Sequence, residues 1–557
     1  MLQLSSSKTN HAVAALLASL YLCLLWNTAD DLAMCRDESF YVFASESYGN
    51  WFELLATNPH QAFEQSTIDH HWAYNHEHPS LMKSLAALTW LTQKHFHLFP
   101  SDSLAFRFPT MLLSSLLLWL VFIWSTSLYG RAAGLFSALG MALIPRFFYH
   151  AHLHAFDAPI VFLVTWVAYC YWRSLSDRKW IWLTVLSFGL CLDTKHNSWV
   201  LPGIFLIHWL AQRGKERLFK FDNQSSLPWA LGGMLLLSPW IAIALWPWLW
   251  HDTWHRIGSY IFFHTHHAES HGVINIAYFG KTLFSPPFPI ALPFILTAYT
   301  LPLTFLVPSV LGSLKAAFAW FKPDADKCEL CRSELLMLGM QWAPLIVIAL
   351  PSSPVFGGTK HWLTAYPFFA MFFAKTLSHC LGVGKELLAP YLKGNALMQR
   401  VMTALALCLF LTPSAYETKH AHPFALSHYG VLAGGVQGAA SKGMNRQFWG
   451  FTTGSVVSYL KEKLPNGGTV WIGDTTFGAW EMLIRDGKVP ANIRATQDFT
   501  RADYLLIHHE QHFAEVEYQA WVLNQSVKPD HLLLYDGVPI ISIYKNQKRL
   551  SQKNKQP

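Results

Sequence analysis

Charge is scarce in this sequence. Of 557 residues only 13% are Asp, Glu, Lys or Arg, against about 25% in an ordinary soluble domain. That scarcity excludes a chain whose whole surface is solvated by water. Cysteine is also sparse, at eight. Cys23, Cys170, Cys191, Cys380 and Cys408 lie inside apolar runs, where a thiol behaves as a small hydrophobe, so no disulfide framework is indicated. The close pair Cys328–Cys331 has no second pair nearby to complete the four ligands of a structural zinc site. Internal repeats and low-complexity tracts are lacking too, which speaks against a solenoid and against the repeat-built transporters. A net charge of +7, spread through short loops, is no nucleic-acid footprint.

What the sequence has is apolar length. Hydrophobic residues make up 52%, with 25 Trp and 39 Phe, and aromatic side chains favour the two interfaces of a bilayer. A span needs about 20 apolar residues. Eleven runs approach that length, near 11–29, 106–128, 132–149, 158–175, 180–193, 198–211, 227–248, 290–311, 334–351, 361–381 and 398–414. Each is expected to be a helix, because other backbone cannot face lipid. The first run is followed by an acidic segment and by no small-residue cleavage signature, so it reads as an uncleaved span.

Lys and Arg in short loops orient the spans. With Lys8 in the cytoplasm, the basic loops around Arg131, Arg173–Lys179, Arg213–Lys220, Lys315–Arg332 and Lys385–Arg400 all fall inside. The outer segments are then 30–104, 150–157, 194–197, 249–289, 352–360 and everything after 415. One stretch decides this. Pro79–Phe99 is apolar but carries Lys83, Lys94, His95 and His97, with Leu81, Leu85, Leu88 and Leu91 at helical spacing. It is expected to lie at the interface; as a span it would invert every later loop.

Beyond Ala415 the pattern changes. Val470–Ile472, Tyr504–His508, Leu532–Tyr535 and Ile540–Tyr544 read as strands, the last two as a hairpin across Asp536–Gly537, with helices at Thr476–Ile484 and Phe513–Leu523. The expected organisation is a multi-span domain over 1–414, an outer α/β domain over 415–545 and a disordered polar tail over 546–557.

The outer loops collect the ionisable residues. Loop one holds Arg36, Asp37 and Glu38, then His76, Glu77 and His78. Later loops hold His150, His152, His154 and Asp157; Lys195 and His196; a histidine-rich stretch from His251 to His271; and Lys360 and His361. Polar groups at membrane depth are costly, and their convergence on one face marks a functional site. Acids there could be general bases or metal ligands. Lys195, Lys360 and His361 could hold phosphate. The bland readings are helix caps for Asp37 and Asp157, a pair with Arg36 for Glu38, and snorkelling for the two lysines. The histidines at 264–271 match no standard zinc spacing and read as a substrate-gating loop.

Several of these elements resemble motifs of the C-type (GT-C) membrane glycosyltransferases, in particular the protein O-mannosyltransferases and aminoarabinose transferases. Arg36-Asp37-Glu38 is similar to their D-E motif, and Asn75-His76-Glu77-His78-Pro79-Ser80-Leu81 resembles their H-P-P-L or E-K-P-P-L motif. Asp157 falls where the family has an acid in the second outer loop. Leu192-Asp193-Thr194-Lys195 resembles L-x-T-K, and Lys360 to Pro367, with Tyr366, resembles K-x-x-Y-x-x-P. The resemblance covers residues 10–415 and implies a polyprenyl-phosphate-linked sugar as donor, with an acceptor protein, lipid or glycan. It implies Asp37 as general base, with Glu38 and Asp157 as further catalytic acids. Lys195, His196, Lys360, His361, Tyr366, His76 and His78 become substrate-binding candidates. Glu77 becomes a candidate ligand for a divalent metal. His78 and Ser80 depart from the E-K-P-P-L form, and a neutral His holds an anion less well than Lys. The resemblance further implies a bacterial inner membrane with a periplasmic active face. Two other readings stand beside it: a transporter or flippase for a lipid-linked saccharide, and a non-catalytic assembly protein.

Overall fold

The computed structural model describes residues 7–213, 229–266, 275–322, 329–353, 355, 357–392, 396–510, 513–547 and 549. Every expected span meets a helix. The first is Lys8–Thr28, capped by the Ser7 hydroxyl, and it packs on Asp102–Tyr129. The third run breaks at Ile144–Pro145 into Arg131–Ala142 and the short helix Pro145–His150. Asp157–Ser174, Lys179–Leu192 and Leu201–Arg213 follow. The seventh run is the pair Trp229–Leu236 and Ser238–Leu245, and the eighth is Leu292–Thr300 with Leu303–Trp320. Glu329–Ala349, Tyr366–Leu392 and Ala396–Ala421 complete the set, the last running past the expected boundary at 414.

Four of these, among the described residues, are long and apolar enough to cross a membrane by length and composition. Of the others, Tyr366–Leu392 and Glu329–Ala349 are long but less apolar, and some are short or broken, as at Pro145 and Pro239. The helix surfaces support a lipid setting. Leu405 and Leu409 on Ala396–Ala421 are 64% and 69% exposed, beside many other bare apolar side chains. An apolar belt of that extent would not persist in water. Inside, Phe305, Phe372, Phe373 and Trp124 form a buried aromatic core. Leu303–Trp320 approaches Tyr366–Leu392 so closely that a Cβ on Gly312 would stand 2.3 Å from the Phe372 carbonyl oxygen. Small residues permit such backbone approach in membrane bundles.

Pro79–Phe99 forms the helix Leu81–Phe96, which packs between Arg36–Thr57 and Asp102–Tyr129 and is not among the four long spans.

The C-terminal region carries a five-stranded sheet in the order β4-β3-β5-β7-β6. Its strands are β3 Gly468–Trp471, β4 Ile493–Thr496, β5 Tyr504–His508, β6 His531–Tyr535 and β7 Val538–Lys545. β3 runs parallel to β4 and β5, and β7 runs antiparallel to β5 and β6. Asp536 and Gly537, at φ 49 and 75, make the tight β6–β7 turn expected of Asp-Gly. Helix Phe477–Arg485, capped by Thr476, leads from β3 to β4, and Ala514–Asn524 leads from β5 to β6. The edge strand β4 and a small hairpin, β1 Ile276–Tyr278 with β2 Lys281–Leu283, were not among the expected elements. Residues 548 and 550–557, Cys328 and the histidines from 267 to 271 lie outside the described residues.

Candidate active site

The site begins where the first helix ends. Arg36–Thr57 starts with a capping box: the Cys35 backbone N–H donates to Glu38 Oε2 at 2.9 Å. Glu38 is fully buried, and Arg107 grips it with two bonds, Nε to Oε1 at 2.8 Å and Nη2 to Oε2 at 2.9 Å. The His154 backbone N–H adds a fourth, at 2.9 Å. Burial alone would raise the Glu38 pKa; Arg107 and the backbone donors outweigh it and hold the carboxylate below its usual range. Glu38 thus pairs with Arg107 and not with Arg36. Both oxygens are committed to holding loop one against the second outer loop. Arg36 turns instead to Asp474 of the sheet region, at 2.5 Å.

Asp37, one residue earlier, is left free of the cap. Its side chain keeps 25% of its surface open, and Lys360 Nζ lies 3.6 Å from Oδ2. Lys360 reaches that point from the 3-10 turn Gly358–His361. Its aliphatic stem folds back over Gly357, where a Cβ would stand 2.2 Å from Lys360 Cε and where φ is +96. Both features call for glycine. Burial lowers the Lys360 pKa, Asp37 and Asp157 oppose that, and the net direction is downward. Asp157, at the first turn of its helix, pairs with Lys195 Nζ at 2.5 Å; both are buried. Asp37, Lys360, Asp157 and Lys195 thus come from four loops to one place.

Around them stand histidines kept neutral. His78 packs edge-on to Tyr41 and tilted on Phe156, and burial with Lys83 as a neighbour pushes its pKa well below the usual value. His150 is buried with neither ring nitrogen hydrogen-bonded, and burial lowers it to about 4 against the opposing pull of Asp157. His196 stacks near His264, with centroids 4.2 Å apart. The His361 carbonyl accepts from Asn197 Nδ2 at 2.9 Å, tying the fifth loop to the third. Tyr366 is fully buried with Arg146, Thr300 and Thr359 about its hydroxyl.

His76 and Glu77 sit beside this group, with the Glu77 carbonyl 3.0 Å from His264 Nε2. With His255, Tyr260, Phe262 and Phe263 they line a cleft of about 470 Å3. His76 stacks on Trp248, and Glu77 Oε1 accepts from Asn75 Nδ2 at 2.8 Å. Among the described residues no three His, Cys, Asp or Glu side chains are disposed to hold a metal.

Three buried cations were not among the expected site residues. Arg107 was hidden because it sits inside an apolar run. Arg146 is buried against the face of Tyr429 and donates to the His428 carbonyl at 3.3 Å, with no carboxylate paired to it among the described residues. Lys83 is buried and donates to the carbonyls of Asn75 and His78 at 2.6 and 2.8 Å, clamping the Asn75–Ser80 turn. An Arg or Lys facing inward from an apolar helix was the available signal.

The spans form a helical bundle with acids and lysines from several loops converged at one end and a small sheet packed over them. The dolichyl-phosphate-mannose-protein mannosyltransferase family profile matches residues 83–246. No curated protein sequence matches the chain. Among solved structures, ArnT from Cupriavidus metallidurans bound to undecaprenyl phosphate is similar over 96% of this chain and 98% of its own, at 13% identity and a TM-score of 0.50. The Archaeoglobus fulgidus oligosaccharyltransferase aligns over 93% of this chain and 71% of its own, at 11% identity and a TM-score of 0.48. The chain is thus similar to GT-C-type glycosyltransferases in fold and, over residues 83–246, in sequence profile.

Proposed function

We propose that this protein transfers a sugar from a polyprenyl-phosphate carrier to an acceptor at the non-cytoplasmic face of a membrane, with Asp37 as the general base. The observation that carries the reading is the placement of Asp37: it is the one acid of the cluster left partly open, with Lys360 at 3.6 Å. The ArnT structure, described as bound to undecaprenyl phosphate, supplies the analogy for the carrier. In the step proposed, the Asp37 carboxylate takes the proton of the acceptor hydroxyl or amine as that atom attacks the anomeric carbon. The bond from that carbon to the phosphate oxygen breaks, and its electron pair leaves on the lipid monophosphate. A single displacement inverts the anomeric centre. Phosphate is a good leaving group at neutral pH, so the requirement falls on cations that stabilise its charge. Lys360 and Lys195 fill that role. Asp157 holds the Lys195 ammonium in place through their ion pair, acting through it.

The sugar-linked polyprenyl phosphate and purified protein in nanodiscs provide the test. Asp37→Asn should lower release of lipid phosphate by about 10²–10⁴-fold, the span of a lost general base, with donor binding retained. Equal release by wild type and variant would remove Asp37 from the mechanism. Movement of the intact donor across the bilayer without transfer would favour a flippase.

A further inference from the structure

The sheet region does more than sit on the bundle. Its ion pairs with loop one and its neighbours are several: Arg36 with Asp474, Arg485 with Glu46 and Asp102, and Lys488 with Asp30. The Ser39 and Thr476 hydroxyls meet at 2.8 Å. From the segment before β3, one residue reaches the lysine beside Asp37. The Trp449 ring lies over Lys360 Nζ, with the ammonium 3.8 Å from the ring centroid. Its carbonyl accepts the Arg36 backbone N–H at 2.9 Å, at the start of the helix that carries Asp37. Its other neighbour is the His150 ring, edge-on at 5.9 Å.

The backbone at this point is unusual. Trp449 has φ +74, a left-handed conformation that a bulky residue adopts only when its surroundings impose it. Gly450 follows at φ +62, packed against the Asp474 backbone. The turn therefore spends conformational energy to direct a 3% exposed indole onto one ammonium group. The indole also belongs to a buried cluster with Tyr149, Phe156 and Phe451, so its π contact with Lys360 and its packing are both present at this position. An indole face attracts a cation through its quadrupole, most strongly where water is excluded.

We propose that Trp449 is a positioning residue, which holds the charged Lys360 beside Asp37 through its π face and makes the C-terminal region part of the catalytic site. The inference rests on the transferase reading for its effect on turnover, though not for the contact itself. Without the indole, Lys360 loses the surface that fixes its ammonium and favours its protonated form. The leaving phosphate then meets a less ordered cation.

The test separates a π contact from packing. In full-length protein, amine labelling of Lys360 read by mass spectrometry across pH gives its titration midpoint, and transfer is measured in parallel. W449L removes the π face and W449F keeps one. W449L should lower the midpoint by roughly half to one unit, and turnover by about tenfold with donor KM within about threefold, as loss of a transition-state contact does. W449F should stay within about threefold of wild type on the same grounds. Should the leucine variant fail to fold, fluorinated tryptophans placed at 449 weaken the π face without changing its shape, and the midpoint should fall stepwise with each fluorine. Equal behaviour of W449L and W449F, or a flat fluorine series, overturns the proposal. A wild type without transfer that still shows the Leu–Phe difference supports the contact and overturns the transferase reading.

Discussion

At the residue scale the acids of loop one divide their labour by geometry. Adjacent in sequence, Asp37 and Glu38 point to opposite sides of a helix start. Glu38 closes the capping box and saturates Arg107, while Asp37 faces the open cluster. Glu38→Ala would strand a buried guanidinium, and a broken buried pair costs about 3–5 kcal/mol. We expect thermal unfolding of the purified variant to move accordingly, with activity per folded molecule falling less than for Asp37→Asn. The second outer loop gives a pH prediction. His150, His152 and His154 are buried and lowered from 6.5 to about 4, 3 and 4. Burial is the first cause in each. Their folded pKa values lie below the unfolded one, so the folded state favours the neutral ring. Stability is full above pH 6.5 and is lost as pH falls toward 4, at about 1.4 kcal/mol per unit for each ring. His152 bonds Thr28 and the Phe148 carbonyl. Melting temperature against pH should therefore flatten over this window in His152→Gln, relative to wild type.

At the element scale, much was readable. Apolar runs gave the helices, and Asp536–Gly537 gave the β6–β7 hairpin. Two kinds of element were not readable. β4 is a short edge strand, Ile-Arg-Ala-Thr, whose pattern comes from pairing with β3 and not from its own composition. The 3-10 turns at His196–Val200 and Gly358–His361 set the lysines, yet in sequence they look like span ends. The lysines themselves were readable as candidates; their partners were not, because Asp157 to Lys195 and Asp37 to Lys360 join loops far apart in the chain. Gly357 belongs to the same lesson. Gly357→Ala must either leave φ +96 or push Lys360 away. Backbone strain of this kind costs about 1 kcal/mol or more. The larger expected effect is on catalysis: faster amine labelling of Lys360 and a lower transfer rate, at nearly unchanged melting temperature.

At the scale of the whole molecule, the bundle and the sheet are held by a ring of ion pairs around loop one. Arg485 is central, bonded to Glu46 and Asp102 at once. These side chains are partly exposed, so each pair contributes at most about 1 kcal/mol, yet Arg485→Glu would set three acids together. Limited proteolysis should then cut the sheet region faster, and the double swap Arg485→Glu with Glu46→Arg should slow cleavage again. Retained protection in the single variant would show that the interface does not depend on this ring. One of its pairs also has a consequence in time. Arg36 and Asp474 stand 438 residues apart in the chain. At roughly 5–20 residues per second of synthesis, Arg36 waits about 20–90 seconds for its partner. Through that interval, while the later spans are still being added, the loop-one helix lacks this partner. A nascent chain stalled before the sheet is made would therefore hold its loop-one helix without the Asp474 contact.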